Sequence, residues 1–377
     1  MLPPESRGIS VPPDPDEPFP PLRRILRPIC HTVGCGGRGR GLYLRAVART
    51  NPLSVMPFMA EDLSRVEDGL HRAARSGDEY LTEISSHLIN AGGKRVRPAF
   101  CLAAAATALT IDAPASPEAV TGGVAVELVH LGSLYHDDVM DEAAVRRTVD
   151  SVNARWGNLK AILAGDFLLA RASELAAGLG VEVAGLLAAT ISRLCEGQVL
   201  ELRHAFDVDR TEASYVRAIE GKTASLLGSS CRIGAIVADL PGADTDALTT
   251  FGHSYGMAFQ LVDDVMDLVA TEADLGKPTG HDMEEGVYTL PVILTLQTDQ
   301  GSELRELLGG PIDSAARDKA IAIVRDGPGI AGTIARARAY ADEGRAALQQ
   351  LPESAGVTGL SAAADYLLNS VEAAAAP

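Results

Sequence analysis

Aromatic side chains are scarce in this chain: Phe, Trp and Tyr make up 4% of its 377 residues, against 46% for hydrophobic residues as a whole. A core with so few rings must be aliphatic, and the sequence supplies it in Ala- and Leu-rich runs such as 102–109 and 175–190. Ala and Leu are strong helix formers. Alternating apolar and polar stretches bounded by hairpin turns are absent, so no sheet is expected. Also absent is an uncharged apolar run of about 18 residues, and with it the expectation of a membrane span. The five cysteines (Cys30, Cys35, Cys101, Cys195, Cys231) are odd in number and scattered. That argues against a disulfide framework and for a reducing compartment, the cytoplasm. Cys30, His31 and Cys35 have no second ligand pair nearby, so their proximity reads as chance rather than as a metal site. Basic charge is short too: a formal net charge of −17 makes the chain a poor candidate for nucleic acid.

The charge is unevenly spread. Residues 1–50 hold eight arginines against four acidic residues, a net of +4, which leaves −21 for the remainder (−17 minus +4). Nine of the 21 prolines fall in the first 28 residues, and 34–41 is a glycine–arginine run. Neither composition sustains a helix, so residues 1–55 are expected to be a disordered extension outside the fold. Seven arginines and no acid in residues 22–50 also fit a targeting peptide, although the acidic, Pro-rich extreme N-terminus does not. A third reading is a gene-model artefact, with the true start at Met56 or Met59.

From about Ala60 the hydrophobic period is helical almost without a break. It predicts helices over 61–75, 78–90, 97–110, 117–142, 153–179, 181–206, 212–239, 244–271, 289–297, 302–309, 314–326, 329–350 and 357–373. Gly, Pro or Asp punctuate the joints, as at Asp112-Ala113-Pro114 and Pro241-Gly242-Ala243-Asp244. Residues 60–375 therefore read as one large all-α domain.

Within that domain one pattern occurs twice: Asp137-Asp138-Val139-Met140-Asp141 and, 126 residues on, Asp263-Asp264-Val265-Met266-Asp267. Residues four apart share a helix face, so Asp137 stacks on Asp141 and Asp263 on Asp267. A solvated acidic face would have no reason to be flanked by Leu134-Tyr135 and by Phe259-Gln260-Leu261-Val262. Carboxylates in apolar surroundings repel one another unless a cation sits between them. Two such faces across a cavity suit hard, oxygen-seeking ions, most simply Mg²⁺, and the phosphates those ions carry.

Cations cluster against the acidic trend. Gly92-Gly93-Lys94-Arg95-Val96-Arg97-Pro98 joins two helices, and glycines before a helix N-terminus allow close approach of an anion. Arg146-Arg147 follow the first aspartates, Gly221-Lys222-Thr223 interrupts an apolar run, and Lys277 lies ten residues after Asp267. A mid-helix glycine such as Gly221 often marks a kink. His130 lies two turns before Asp137 on the same face; alone it would read as a core histidine. Together these groups outline a pocket for a molecule with several phosphates and an apolar body.

These motifs, in this order, resemble the trans-isoprenyl diphosphate synthases (the polyprenyl synthetase family) from about residue 60 to the C-terminus. The resemblance implies an all-α isoprenoid synthase fold around a central cavity, usually dimeric, that condenses isopentenyl diphosphate with an allylic diphosphate. It implies Asp137, Asp141 and Asp263 as Mg²⁺ ligands, with Asp138, Asp264 and Asp267 in supporting roles. Arg146, Lys222, Gln260 and Lys277 resemble the allylic diphosphate contacts, and Lys94, Arg97, His130 and Arg147 the isopentenyl diphosphate site. Thr223 and Gln260, with Lys222, match positions that face the developing cation. Where family members often follow the arginine pair with Gly-Lys-Pro-Thr, this chain has Thr148-Val149-Asp150-Ser151, which leaves the closing geometry of that loop open. A terpene cyclase would lack the Gly92–Pro98 segment and the second aspartate motif; a non-catalytic subunit would have lost aspartates.

The product tail must run from the metal site down the helix bearing Asp137, past Ser133 and Gly132 and then Val129, Val126 and Ala125. In the resembled family, bulky aromatics just before the first motif stop growth at farnesyl. Here these positions are small or aliphatic, and the nearest aromatic, Tyr135, is rotated by about 200° from Asp137. A polyprenyl diphosphate longer than farnesyl is expected, such as a quinone side-chain precursor, with geranylgeranyl diphosphate the alternative. A Gly132→Phe substitution is expected to close the tunnel.

Overall fold

The computed structural model describes residues 51–270, 279–299 and 301–375, the last four as backbone only. The helices are α1 (Met59–Ala73), α2 (Glu79–Asn90), α3 (Val96–Ala106), α4 (Pro117–Met140), α5 (Val152–Trp156), α6 (Asn158–Gly178), α7 (Val181–Arg203) and α8 (Glu212–Ile219). They continue with α9 (Ser225–Val237), α10 (Gly242–Val269), α11 (His281–Glu284), α12 (Leu290–Leu296), α13 (Gly301–Leu307), α14 (Ser314–Asp326), α15 (Gly329–Leu348) and α16 (Ala355–Ala375). Several start where a side chain can satisfy the free N–H groups of the first turn. Asp78 accepts from Tyr80 and Leu81, Ser116 from Ala119 with Pro117 behind it, and Thr211 from Ser214.

Two long helices carry the aspartate motifs through the centre. α4 packs on α6, α3 and α1, and α10 on α15 and α9. Both are buried on most sides. Two expected helices are broken. Gly157, at φ 87°, divides α5 from α6. Glu220–Ala224 forms a π-helical turn between α8 and α9, at the glycine expected to mark a kink. There Gly221 and Gly197 of α7 meet backbone to backbone: a Cβ on Gly197 would lie 2.5 Å from the Lys222 nitrogen.

One small hairpin departs from the helical pattern. β1 (Val145–Arg146) pairs antiparallel with β2 (Val149–Asp150), with Val145 opposite Asp150. Its two turn residues, Arg147 and Thr148, have φ of 53° and 66°, as a two-residue turn between twisted strands requires. Threonine is a costly choice there, by about 1–2 kcal/mol. The position where family members often carry glycine thus keeps its left-handed backbone without one.

The N-terminal boundary lies earlier than expected. Leu53 is fully buried in the main core, and Asn51 Nδ2 donates to the carbonyls of Lys94 (3.0 Å) and Arg95 (3.2 Å). Residues 51–55 therefore belong to the fold, and a chain starting at Met56 or Met59 would lack these contacts. Residues 1–50, with Cys30 and Cys35, lie outside the described residues. Deleting 1–50 is expected to leave activity and melting temperature unchanged, whereas Leu53→Ala should cost about 2–5 kcal/mol in a denaturation curve. Equal stability of the Leu53→Ala variant and the parent would return this segment to the extension.

Candidate active site

The two aspartate motifs end α4 and α10, and the cations gather on the loops and turns around them. Asp137 lies in the last turn of α4, and Asp141 caps it, its N–H bonded to the Asp137 carbonyl. Burial, with Asp141 and Glu201 nearby, pushes the Asp137 carboxyl up to about 6 despite the opposing charge of Lys222. Burial likewise raises Asp141. Lys222 donates to Glu201; burial alone would lower its pKa, but Glu201, Asp137 and Asp141 outweigh that and raise it. At the second motif, Asp263 is the charge that opposes the burial-driven lowering of Lys94. Asp267 is buried in the same stretch of α10.

Asp138 and Asp264, expected in supporting roles, are bonded to protein groups. Asp138 is fully buried and takes Arg146 Nε on Oδ1 at 2.6 Å. Asp264 is 2% exposed with both oxygens used: Oδ2 accepts from Tyr215, and Oδ1 from Gln260 Nε2 at 3.0 Å. In each motif the second aspartate points away from the first and is bonded to protein groups, Asp138 through Oδ1 and Asp264 through both oxygens. The reason is helical geometry: residues one apart point about 100° away from each other.

Among the described residues no three His, Cys, Asp or Glu side chains converge tightly enough to cage an ion. The donors come instead as separated pairs of hard oxygens. That suits Mg²⁺, which keeps waters and binds one or two carboxylates plus substrate phosphates. The residues present fit the ion.

A second cluster lies at the start of α3. Arg97 Nε is buried without a hydrogen-bond partner, and burial depresses the guanidinium's pKa. His130 is held neutral, its pKa pushed far down by burial and then by Arg97, Arg147, Arg95 and Arg146. Arg147 donates to the carbonyls of Leu88 (3.0 Å) and Gly92, and its guanidinium lies against Gly93, where a Cβ would sit 2.9 Å from Cζ. Gly93 thus makes room for Arg147, whereas a Cβ on Gly92 would meet nothing within 4 Å. Arg95 is occupied structurally: it grips Glu67 through two bonds of 2.8 Å and Glu127 through one of 3.0 Å. Lys277 lies outside the described residues.

Beside Asp137 a largely apolar cavity of about 270 Å³ lies between α4, α6 and α7, lined by Val129, Ser133, Leu169, Ile191 and Leu194, with His136, Gln198 and Lys222 also in its wall. Tyr135 is fully buried away from it, its hydroxyl bonded to the carbonyls of Ile84 (2.7 Å) and Ser85 (3.1 Å). Gly132, Val126 and Ala125, expected along the tunnel, are buried in helix packing instead, with Gly132 against Leu169 and the Gly165 carbonyl. A larger cleft of about 670 Å³ on another side of α7, near Arg193, Arg203 and Arg217, contains none of the aspartates.

The polyprenyl synthetase family model matches residues 78–324, a span that includes both aspartate motifs and every cation described above. The chain belongs to that family. It is 39% identical to the nonaprenyl diphosphate synthase of Mycobacterium tuberculosis over 311 residues, covering 81% of this chain and 92% of that protein. The crystal structure of a decaprenyl diphosphate synthase from Rhodobacter capsulatus superposes with a TM-score of 0.77 at 33% identity, covering 83% of this chain and 97% of that one. A geranylgeranyl pyrophosphate synthase from Corynebacterium glutamicum, crystallised with calcium and isoprenyl diphosphate, gives 0.73 at 38% identity, covering 83% and 96%.

Four residues that organise this polyprenyl synthetase's site were missed from sequence: Glu67, Glu127, Glu201 and Tyr215. Glu127 carried a signal, being an acid within an apolar helix three residues before His130. The others have partners 21–49 residues away in sequence, so nothing local marks them.

Proposed function

We propose that the chain joins isopentenyl diphosphate to an allylic diphosphate with trans geometry and releases a polyprenyl diphosphate longer than farnesyl. The observation that carries this reading is a largely apolar cavity beside Asp137 and Lys222 whose lining includes no Phe, Tyr or Trp. Asp137, Asp141, Asp263 and Asp267 hold divalent ions, Mg²⁺ by the hardness of the donors. Bound there, the ions supply Lewis acidity toward the departing diphosphate. Lys222, with Arg146 and Lys277, grips the allylic diphosphate. Its carbon–oxygen bond breaks, the electron pair leaves with pyrophosphate, and the dry cavity keeps water from the allylic cation. Thr223 and Gln260 present oxygens to that cation. Lys94, Arg97, His130 and Arg147 hold isopentenyl diphosphate while its double bond attacks to form the new carbon–carbon bond. A proton then leaves the condensed product, with the released pyrophosphate as acceptor.

The exposed apolar faces of α6 and α7 support a homodimer. Leu159 (80% exposed), Leu163 (64%) and Val181 (91%) are large apolar groups with nothing over them in a single protomer. α7 has the length and apolar character of a membrane span but carries Glu182, Arg193, Glu196, Glu201 and Arg203. A second copy is the better cover. Free thiols at Cys101, Cys195 and Cys231 accord with a cytoplasmic enzyme. The geranylgeranyl relative keeps a shorter product as the second reading.

The two diphosphate sites can be separated by mutation. Arg97→Ala removes a charge-assisted contact made in ground and transition states alike, so it should raise KM for isopentenyl diphosphate about tenfold or more with little change in kcat. Lys222→Ala should instead impair use of the allylic substrate. Steady-state kinetics with each substrate varied in turn decides it, and an Arg97→Ala defect confined to the allylic substrate would overturn the assignment.

A further inference from the structure

We propose that Tyr215 is a positioning residue for the condensation, acting through Asp264 and Gln260 to fix the direction in which Thr223 presents its oxygen to the allylic cation. The bonds form one chain across three elements. The Tyr215 hydroxyl, on α8, donates to Asp264 Oδ2 on α10. Gln260 Nε2 donates to Asp264 Oδ1 at 3.0 Å, one turn up the same helix. Thr223 Oγ1, in the π-helical turn, donates to Gln260 Oε1 at 2.7 Å.

The chemistry allows this chain one polarity. Asp264 accepts from both neighbours, so the Gln260 amide turns its NH₂ toward Asp264 and its oxygen toward Thr223. Thr223 must then donate to that oxygen, and its lone pairs remain for the site. The chain lies away from bulk water, since Tyr215 and Asp264 are each 2% exposed and Thr223 is 7%, so a member left unpaired there is costly. Tyr215 is itself fixed from behind, with the Arg210 guanidinium 5.4 Å above its ring. Its hydroxyl is engaged by Asp264, so its influence passes through its partners. The π-helical turn supplies the remaining condition, because the local change in helical pitch carries Thr223 to Gln260.

The inference rests on the reading of Thr223 as a group that faces the cation, and a double-mutant cycle separates the two. Tyr215→Phe keeps the ring and removes the donor. It should lower kcat about tenfold to a hundredfold while KM for both substrates stays within about twofold. Thr223→Ala should lower kcat as well, and the double variant should be no slower than Thr223→Ala alone, because Tyr215 has nothing left to orient. Losses that multiply in the double variant would overturn the proposal, as would a Tyr215→Phe enzyme with the parent's kcat. Thr223→Ala with full kcat would instead sink the reading of Thr223 and leave the bond chain without a catalytic purpose. If Tyr215→Phe does not fold, as judged by its melting curve, the isosteric Asp264→Asn runs the same cycle with the same two outcomes.

Discussion

Replacing Asp137 or Asp263 by alanine is expected to cut turnover at least about a thousandfold, with the helical circular-dichroism spectrum unchanged. Excess chelator should do the same to the parent enzyme. The two halves of this prediction have separate causes. Activity is lost because the diphosphate cannot leave without divalent charge to receive it. The fold survives because burial, with Asp141 and Glu201 behind it, raises the Asp137 carboxyl to about 6 against Lys222 and Arg146, so removing it relieves the cost of a buried charge. The melting temperature of Asp137→Ala should therefore equal or exceed that of the parent. Asp264→Ala should behave in the opposite sense. It strands Tyr215 and Gln260 in a buried place and should cost about 1–3 kcal/mol of stability. Full activity in excess chelator would falsify the metal assignment.

The second large effect is on product length. Ser133→Phe should close the aliphatic cavity one turn below Asp137 and shift products toward farnesyl, with the first condensation intact. Gly132→Phe, which the sequence pattern alone would favour, is the wrong variant. A Cβ there already lies 3.0 Å from Leu169 Cγ and 3.1 Å from the Gly165 oxygen, so a ring would force α4 and α6 apart. Product chromatography with excess isopentenyl diphosphate distinguishes them: a shortened product from Ser133→Phe, and a destabilised protein from Gly132→Phe. An unchanged product spectrum from a well-folded Ser133→Phe enzyme would place the tail elsewhere.

The contrast between positions 132 and 133 shows what one-dimensional pattern can and cannot supply. Helix boundaries were legible because caps and breakers act locally, as Asp78, Ser116 and Thr211 do for α2, α4 and α8. The aspartate pairs were legible because a four-residue spacing has one meaning on a helix. What the second aspartate of each doublet binds was not, since it depends on what packs behind. Tyr215 claims Asp264 from 49 residues away, and the Arg146 beside Asp138 arrives on a hairpin whose strands are two residues long. The glycines at 92 and 93 were read as room for an anion; beside Gly93 the structure places the Arg147 guanidinium. Leu53 and Asn51 were masked by the proline- and arginine-rich composition just before them; Asn51 is tied to the Lys94 and Arg95 carbonyls, and Leu53 is fully buried.

The most direct measurement uses the purified chain alone with Mg²⁺, farnesyl diphosphate and labelled isopentenyl diphosphate, with products resolved by chain length. The expected result is repeated addition to farnesyl, giving linear diphosphates longer than geranylgeranyl, with no second protein required. A single addition that stops at geranylgeranyl, a cyclised hydrocarbon, or no incorporation until another chain is supplied would contradict it.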